Sequence, residues 1–413
     1  MNDKPKVSIL VLDDDSFMLK LLGLMLESLG FIGVTLCQRG RDALAWIDGS
    51  DRAPDLILLD LNMPGMDGVE FVRHLVDRRF GGSLILVSGE NERMLQTAES
   101  LVRAHRITLL GRLHKAVTRE GLAALLRPWT PRALSRQPVA KRAYPADEVR
   151  AAIANGELVN HYQPKVVVAT GRVTGVEALV RWRHPTDGMV FPAQFIGVAE
   201  EHGLIDDLTA VVLREALTQA RLWRSTGLAL RVAINVSMDN LASLDFPDFV
   251  ASQAAAAGVS PEDVVFEVTE SRLMKDLRTP LEVLARLRLK RFSLSIDDFG
   301  TGHSSLAQLR DFPFDELKVD RGFVHGAFAD ETLHAIYDAS LGLARQLGMG
   351  IVAEGVEDRD DWDFLRRTGC AMAQGYFIAK PMPANALPAW IQAWEARIRE
   401  DRLNRTDSEG NLS

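Results

Sequence analysis

Two adjacent carboxylates, Asp297 and Asp298, close an apolar run and are followed at once by Phe299-Gly300-Thr301-Gly302. Like charges side by side repel, and burial makes both harder to ionise. A divalent cation relieves that repulsion, so the pair points to a metal site at a strand tip. Alternation along neighbouring apolar runs supplies further donors. Glu177, Leu179 and Arg181 share one side of Val173–Arg181, Asn235 opposes Val232, Ile234 and Val236, and Glu267 opposes Phe266 and Val268. Ser295 and Asp297 oppose Leu294 and Ile296, Lys318 and Asp320 oppose Leu317 and Val319, Glu354 opposes Ala353, and Gln374 opposes Ala373. Glu177, Asn235, Glu267 and Asp297 are hard oxygen donors suited to Mg²⁺ or Mn²⁺, and a second ion can share Asp297 and take Asp298. Two such ions clamp the attacking and leaving oxygens of an in-line phosphoryl displacement. Lys318 is placed to orient or polarise the attacking water, and the Arg181 fork suits a phosphate oxygen. Both aspartates reach one cluster only if the strand ends there, a break that Gly300 and Gly302 allow.

A second constellation lies near the N-terminus. Asp13 and Asp14 follow one apolar run, Asp60 ends another, Ser88-Gly89 ends a third, and Lys115 follows a fourth. Carboxyl ends of strands in a doubly wound sheet line one crevice. Asp13, Asp14 and Asp60 there suit one Mg²⁺, and a carboxylate beside that ion can take up a phosphoryl group. Lys115 would pair with the phosphoryl oxygens and Ser88 would donate to them.

The elements that must hold these groups follow from periodicity. Val7–Leu12, Phe31–Leu36, Asp55–Asp60, Leu84–Ser88 and Ile107–Leu110 are expected strands, alternating with helical patterns at Ser16–Leu29, Asp42–Ile47, Val69–Arg78, Glu92–Arg103 and Thr118–Leu126. This alternation predicts an α/β, doubly wound (flavodoxin-like) domain over 1–126. The stretch 127–144 contains Pro128, Pro131 and Pro138 and has a linker composition. Eight further expected strands follow: His161–Val168, Val173–Arg181, Arg231–Val236, Val264–Val268, Ser293–Asp297, Glu316–Asp320, Gly350–Glu354 and Ala371–Gly375. With helical patterns such as Leu208–Ser225, Pro280–Lys290 and Leu333–Leu347 between them, they predict a TIM-like β/α barrel over 145–399. The polar tail 400–413 is expected to be disordered.

Composition bounds the rest. A chain of 413 residues with 47% hydrophobic and 25% charged residues is ordinary globular material for two or three domains. A net charge of −8 argues against direct DNA binding but not against a small nucleotide held by metals. Only Cys37 and Cys370 are present, which suggests a reducing, cytoplasmic setting without a disulfide or zinc framework. No apolar run approaches the ~20 residues of a membrane span.

The N-terminal segments Leu-Asp-Asp-Asp at 12–15 and Leu-Leu-Asp-Leu-Asn-Met-Pro-Gly-Met-Asp-Gly at 58–68, with Ser88 and Lys115, resemble the receiver domain of bacterial response regulators. The resemblance implies Asp60 as phosphoacceptor, Asp13 and Asp14 with Asp60 as ligands of one Mg²⁺, and Ser88 and Lys115 as the switch pair. It also implies a sensor histidine kinase or phosphotransfer protein as partner. Ala116 replaces the usual proline, and Arg112 stands where an aromatic switch residue is common.

The ordered series Tyr162-Gln163-Pro164, Glu177-Ala178-Leu179-Val180-Arg181, Asn235-Val236-Ser237, Glu267-Val268-Thr269-Glu270, Asp297 to Gly302, Lys318-Val319-Asp320, Glu354-Gly355-Val356-Glu357 and Gln374-Gly375-Tyr376 resembles the EAL family of cyclic-di-GMP phosphodiesterases. That implies hydrolysis of cyclic-di-GMP to linear pGpG. It implies Glu177, Asn235, Glu267, Asp297 and Asp298 as ligands of two Mg²⁺ or Mn²⁺ ions, and Lys318, Glu354 and Glu177 as catalytic groups. Gln163, Leu179, Arg181, Asp320 and Gln374 become substrate contacts, and Glu270 the anchor of the loop after Asp298, where His303 replaces a usual tyrosine. An EAL–EAL homo-oligomer is also implied. The alternatives are a receptor that holds cyclic-di-GMP without cutting it and a phosphorelay adaptor with a vestigial barrel.

Overall fold

The protein is described by a computed structural model over residues 7–50, 53–78, 80–89, 92–105, 107–115, 117–127, 129, 144–269, 278–300 and 312–410. The chain divides into two units, Met1–Lys141 and Arg142–Ser413.

In the first unit, strands β1 (Ser8–Leu12), β2 (Gly33–Cys37), β3 (Leu56–Asp60), β4 (Ser83–Ser88) and β5 (Thr108–His114) form one parallel sheet in the order β2-β1-β3-β4-β5. Parallel strands covered by helices bury both faces. Alternation accordingly splits the sheet's side chains into two clusters, Ile9, Val11, Leu56, Leu58, Ile85 and Val87 on one face. Leu10, Leu12, Ile57, Leu59, Leu84 and Leu86 fill the other. The fifth strand outruns its expected end at Leu110. Gly111 suggests a stop, but the register shifts against Leu84 and Ile85 and pairing resumes as far as His114. A bulge absorbs the extra residue and lets the ladder continue.

The second unit contains an eight-stranded closed barrel. Its staves are β6 (Leu158–Val167), β7 (Val173–His184), β9 (Arg231–Val236), β10 (Val264–Thr269), β11 (Ser293–Phe299), β12 (Glu316–Val319), β13 (Gly350–Ala353) and β14 (Met372–Ala373). The short β8 (Gly188–Val190) and β15 (Met382–Pro383) add to the outsides of β7 and β6. β6 runs antiparallel to both its barrel neighbours, β7 and β14, and the remaining neighbours are parallel. The cause is chain length. Between Val167 and Val173 there is room for a hairpin turn but not for the dozen residues of a parallel crossover.

Outward residues of the staves (Val176, Ile234, Phe266, Leu294, Leu317 and Ala353 among them) are buried with the surrounding helices in one apolar cluster. Polar residues are thereby directed inward. The last helix is continuous from Leu387 to Gly410, past the point where a disordered tail was expected. Leu387, Ile391, Trp394 and Ile398 form its buried stripe, and Asp401 extends that stripe with an ion pair to Arg359 at 2.6 Å. This long-range pair to the helix Arg359–Thr368 gives the chain beyond Ile398 one tertiary contact, of the small worth usual for a partly exposed ion pair. Among the described residues no helix is long and apolar enough to cross a membrane.

Candidate active site and receiver pocket

The barrel mouth gathers acid from three staves and the loop after a fourth, with an amide and an ammonium from two more. Glu177 on β7, Glu267 on β10 and Asp297 on β11 each offer an oxygen within 4.8 Å of the others. Asp297, Asp298 and Glu354, the last just beyond β13, form a second such group. Asp297 belongs to both, as the two-ion expectation requires. Asn235 on β9 donates its amide to Glu177 Oε1 at 2.7 Å.

The two aspartates reach the mouth by a device other than the expected strand end. β11 continues to Phe299, which pairs with Val319, and the register shifts between Ile296 and Phe299. Within that bulge Asp298 adopts φ +55°, and its amide donates to Asp297 Oδ1 at 3.0 Å. Aspartate tolerates the left-handed region better than most residues, and a bulge re-aims side chains without ending the ladder. Gly300 follows at φ +96°, where a Cβ would lie 2.6 Å from the Phe323 ring. Both the dihedral and the space demand glycine there.

Lys318, buried at the centre, ties the cluster together. Its Nζ lies 2.6 Å from Glu354, 2.8 Å from Glu267, 2.9 Å from Asp297 and 3.6 Å from Glu177. Burial opposes its charge, but these carboxylates hold its pKa well above the ordinary lysine value. The acids respond unequally. Burial and then Asp297 and Asp320 push Asp298 up to about 6. Glu177 is raised by burial and by Glu267, and Glu354 is raised chiefly by burial. Glu267 is also fully buried, but Lys165 and Lys318 outweigh that cost and bring it down to about 2. Carboxyls raised by burial and then by one another are a donor set that divalent cations relieve, and all the ligands are of the hard type magnesium and manganese prefer. The residues therefore fit the implied ions.

The expected substrate contacts divide. Gln163 and Glu177 are cross-strand partners in the β6–β7 hairpin. Gln374 donates to Glu177 at 2.6 Å and to Gln163 at 3.0 Å, and its own buried Oε1 has no partner. Gln163, Leu179, Gln374 and Tyr376 line a groove of about 270 Å³ whose floor includes Asp297 and the buried Lys318. Arg181 donates to the Val180 carbonyl and sits 5.2 Å from the Phe191 ring, outside that lining. Asp320 caps a short helix, Arg321–Val324, by accepting from the Gly322 amide. Glu270 and the loop residues 301–311, His303 included, lie outside the described residues.

Sequence reasoning missed several neighbours. Arg321 and Glu357 face the groove and pair at 2.8 Å. A mostly apolar cavity of about 370 Å³ adjoins Glu177 and Asn235, walled by Leu179, Pro192, Ile196 and Met238, with Glu200 at its edge. Lys165 and Glu316 lie buried inside the barrel. Strand alternation could have found the last two, since Lys165 shares a face with Gln163, and Glu316 with Lys318.

In the first unit, Asp13, Asp14 and Asp60 bring oxygens within 4.8 Å of one another. Asp13 and Asp60 are fully buried and raised chiefly by burial. Lys115 bonds Asp60 Oδ2 at 2.7 Å, and the buried Asp13 Oδ2 makes no hydrogen bond but lies 3.5 Å from the same ammonium, an oxygen that a cation could still take up. The Lys115 amide donates to the Ser88 carbonyl at 3.1 Å, so the two residues expected as a switch pair are joined through backbone. Arg112 approaches Glu99 on the helix Glu92–Ala104 at 3.9 Å, an ionic contact where an aromatic residue is common.

Comparison with known proteins finds a match for each of the two units. The response regulator receiver domain family matches residues 9–127, and the EAL domain family matches residues 146–381. The cyclic di-GMP phosphodiesterase RocR of Pseudomonas aeruginosa is 34% identical over 93% of this chain and 97% of its own length. An uncharacterized signaling protein of Caulobacter vibrioides is 45% identical over 60% of this chain, which spans only 30% of that protein. The solved PaMucR phosphodiesterase in complex with c-di-GMP is 42% identical, covers 58% of this chain and 98% of its own, and superposes with a TM-score of 0.56. The chain belongs to the EAL domain family, with a response regulator receiver domain preceding its EAL domain.

Proposed function

We propose that the barrel hydrolyses cyclic-di-GMP to linear pGpG on two divalent cations, and that phosphorylation of Asp60 modulates the rate. The observation that carries this reading is the pair of oxygen clusters joined through Asp297. Glu177, Glu267 and Asn235 would hold one ion with Asp297, and Asp298 the other. Bound there, the ions supply Lewis acidity to the phosphodiester and a more acidic water.

The chain's own groups do the rest. Lys318, kept charged by its carboxylate neighbours, orients the attacking water and offsets charge that builds on the phosphoryl oxygens. Glu354, hydrogen-bonded to Lys318, fixes that ammonium on the water's side. Water adds to phosphorus, the bond to the 3′ oxygen breaks, and the leaving oxygen takes a proton. A 5′-phosphate and a free 3′-hydroxyl result. Gln163 and Gln374 brace Glu177 against movement during the step. Leu179, Pro192, Ile196 and Met238 offer flat apolar walls for a guanine, and Glu200 offers an acceptor for its N1–H and N2–H donors. The anchoring of Glu200 by Ser237 at 2.8 Å supports that role. RocR, which aligns over 93% of this chain and 97% of its own length, supports the coupling of receiver to barrel.

Purified protein with Mg²⁺ or Mn²⁺ should convert cyclic-di-GMP to pGpG, read by chromatography. Folded protein that retains the dinucleotide intact with both metals would make the barrel a receptor instead. Beryllofluoride on Asp60 should change the rate. An unchanged rate at saturating mimic would remove the regulatory part alone.

A further inference from the structure

Barrel interiors are commonly filled by bulky branched side chains. Below the mouth this one holds an ionic layer instead. Lys165 is 4% exposed, and its Nζ lies 2.5 Å from Glu267 Oε1 and 3.1 Å from Glu316 Oε1. Glu316 Oε1 also accepts from Ser295 Oγ at 3.0 Å. The other oxygen of Glu267, Oε2, accepts from Lys318 at 2.8 Å. Glu267 is thus gripped by one ammonium on each oxygen, one from below and one at the level of the cluster.

A buried ion pair is weak support for stability, because removing two charges from water costs about as much as their attraction returns. Lys165 and Glu316 also cancel in net charge, so together they add little to the field at the mouth. What remains is direction, an N–H donor aimed at one oxygen of an acid in the cluster. We infer that Lys165 is a positioning residue that fixes the rotation of the Glu267 carboxylate so that Oε2 faces the cation seat. Glu316 and Ser295 hold Lys165 in place. The inference rests on the two-cation reading of the mouth. Partners of metal-binding carboxylates usually contribute ~10–100-fold in metal affinity.

The test is Mn²⁺ titration by calorimetry, without nucleotide, on the full chain carrying Asp60→Asn to weaken the receiver pocket. The added variant Lys165→Met/Glu316→Gln removes the donor and leaves net charge unchanged. It should keep the parent melting temperature within a few degrees and bind Mn²⁺ ~10–100-fold more weakly. Parent-like affinity in the folded double variant would overturn the positioning role and leave the cation seat standing. No Mn²⁺ binding to the mouth of the parent would overturn both. Should the double variant not fold, Lys165→Met alone decides by sign. Its thioether cannot donate to Glu267, and loss of a nearby positive charge alone should tighten cation binding. Weaker binding supports positioning, and equal or tighter binding overturns it.

Discussion

The receiver pocket and the barrel mouth are two solutions to one problem, holding carboxylates together at the carboxyl ends of parallel strands. In the receiver the acids come from neighbouring β1 and β3, and a lysine still 28% exposed closes the top. In the barrel they come from or just beyond four of the eight staves, and the lysine is 1% exposed and surrounded by four acids. An open sheet edge gathers one small cluster, whereas a closed ring can place two clusters side by side with a shared member. Openness suits a phosphoryl group that must arrive and leave. Enclosure suits a step in which charge develops away from bulk water.

Perturbations should separate the two sites. The largest effect is expected from chelation or from Glu177→Ala, either of which should take barrel turnover below detection while circular dichroism still reports folded protein. Lys318→Met should come next. Its kcat should fall by ~10²–10³, the usual cost of removing one preorganised electrostatic donor. It should also lose about 3–5 kcal/mol of stability in denaturant titrations, because buried acids lose their counter-ion. Gly300→Ala should cost about 1–3 kcal/mol through the positive φ and the Phe323 ring. By shifting the bulge it should also weaken the Asp298-side cation more than the other, seen as a split of Mn²⁺ affinities. Asp60→Asn should do least to the barrel, leaving basal turnover unchanged while abolishing any response to beryllofluoride. A large basal loss would mean that the unphosphorylated receiver itself sustains the barrel.

The same comparison explains what the sequence revealed. Asp13, Asp60, Glu177, Glu267 and Asp297 were legible because each is a charged residue at the end of an apolar alternating run, and alternation assigns a face. It does not assign a depth. Lys165 therefore went unnoticed although it is two residues from Gln163, because its partners Glu267 and Glu316 are 102 and 151 residues away. The bulge at Asp298 was hidden for a related reason. Two glycines mark a turn signal, but only pairing of Phe299 with Val319 tells a bulge from a strand end. The antiparallel β6 was available from the short β6–β7 connection, whose length excludes a crossover. The helix beyond Arg399 was not, because its last described anchor is the long-range pair of Asp401 with Arg359.

Manganese anomalous scattering from crystals of the full chain, grown with Mn²⁺ and cyclic-di-GMP in the Glu354→Gln variant to slow turnover, addresses the shared aspartate directly. Two peaks at the barrel rim are expected, both within bonding distance of Asp297, with Glu177 and Glu267 on one and Asp298 on the other. A single peak, or two peaks that do not share Asp297, would contradict the two-cation site.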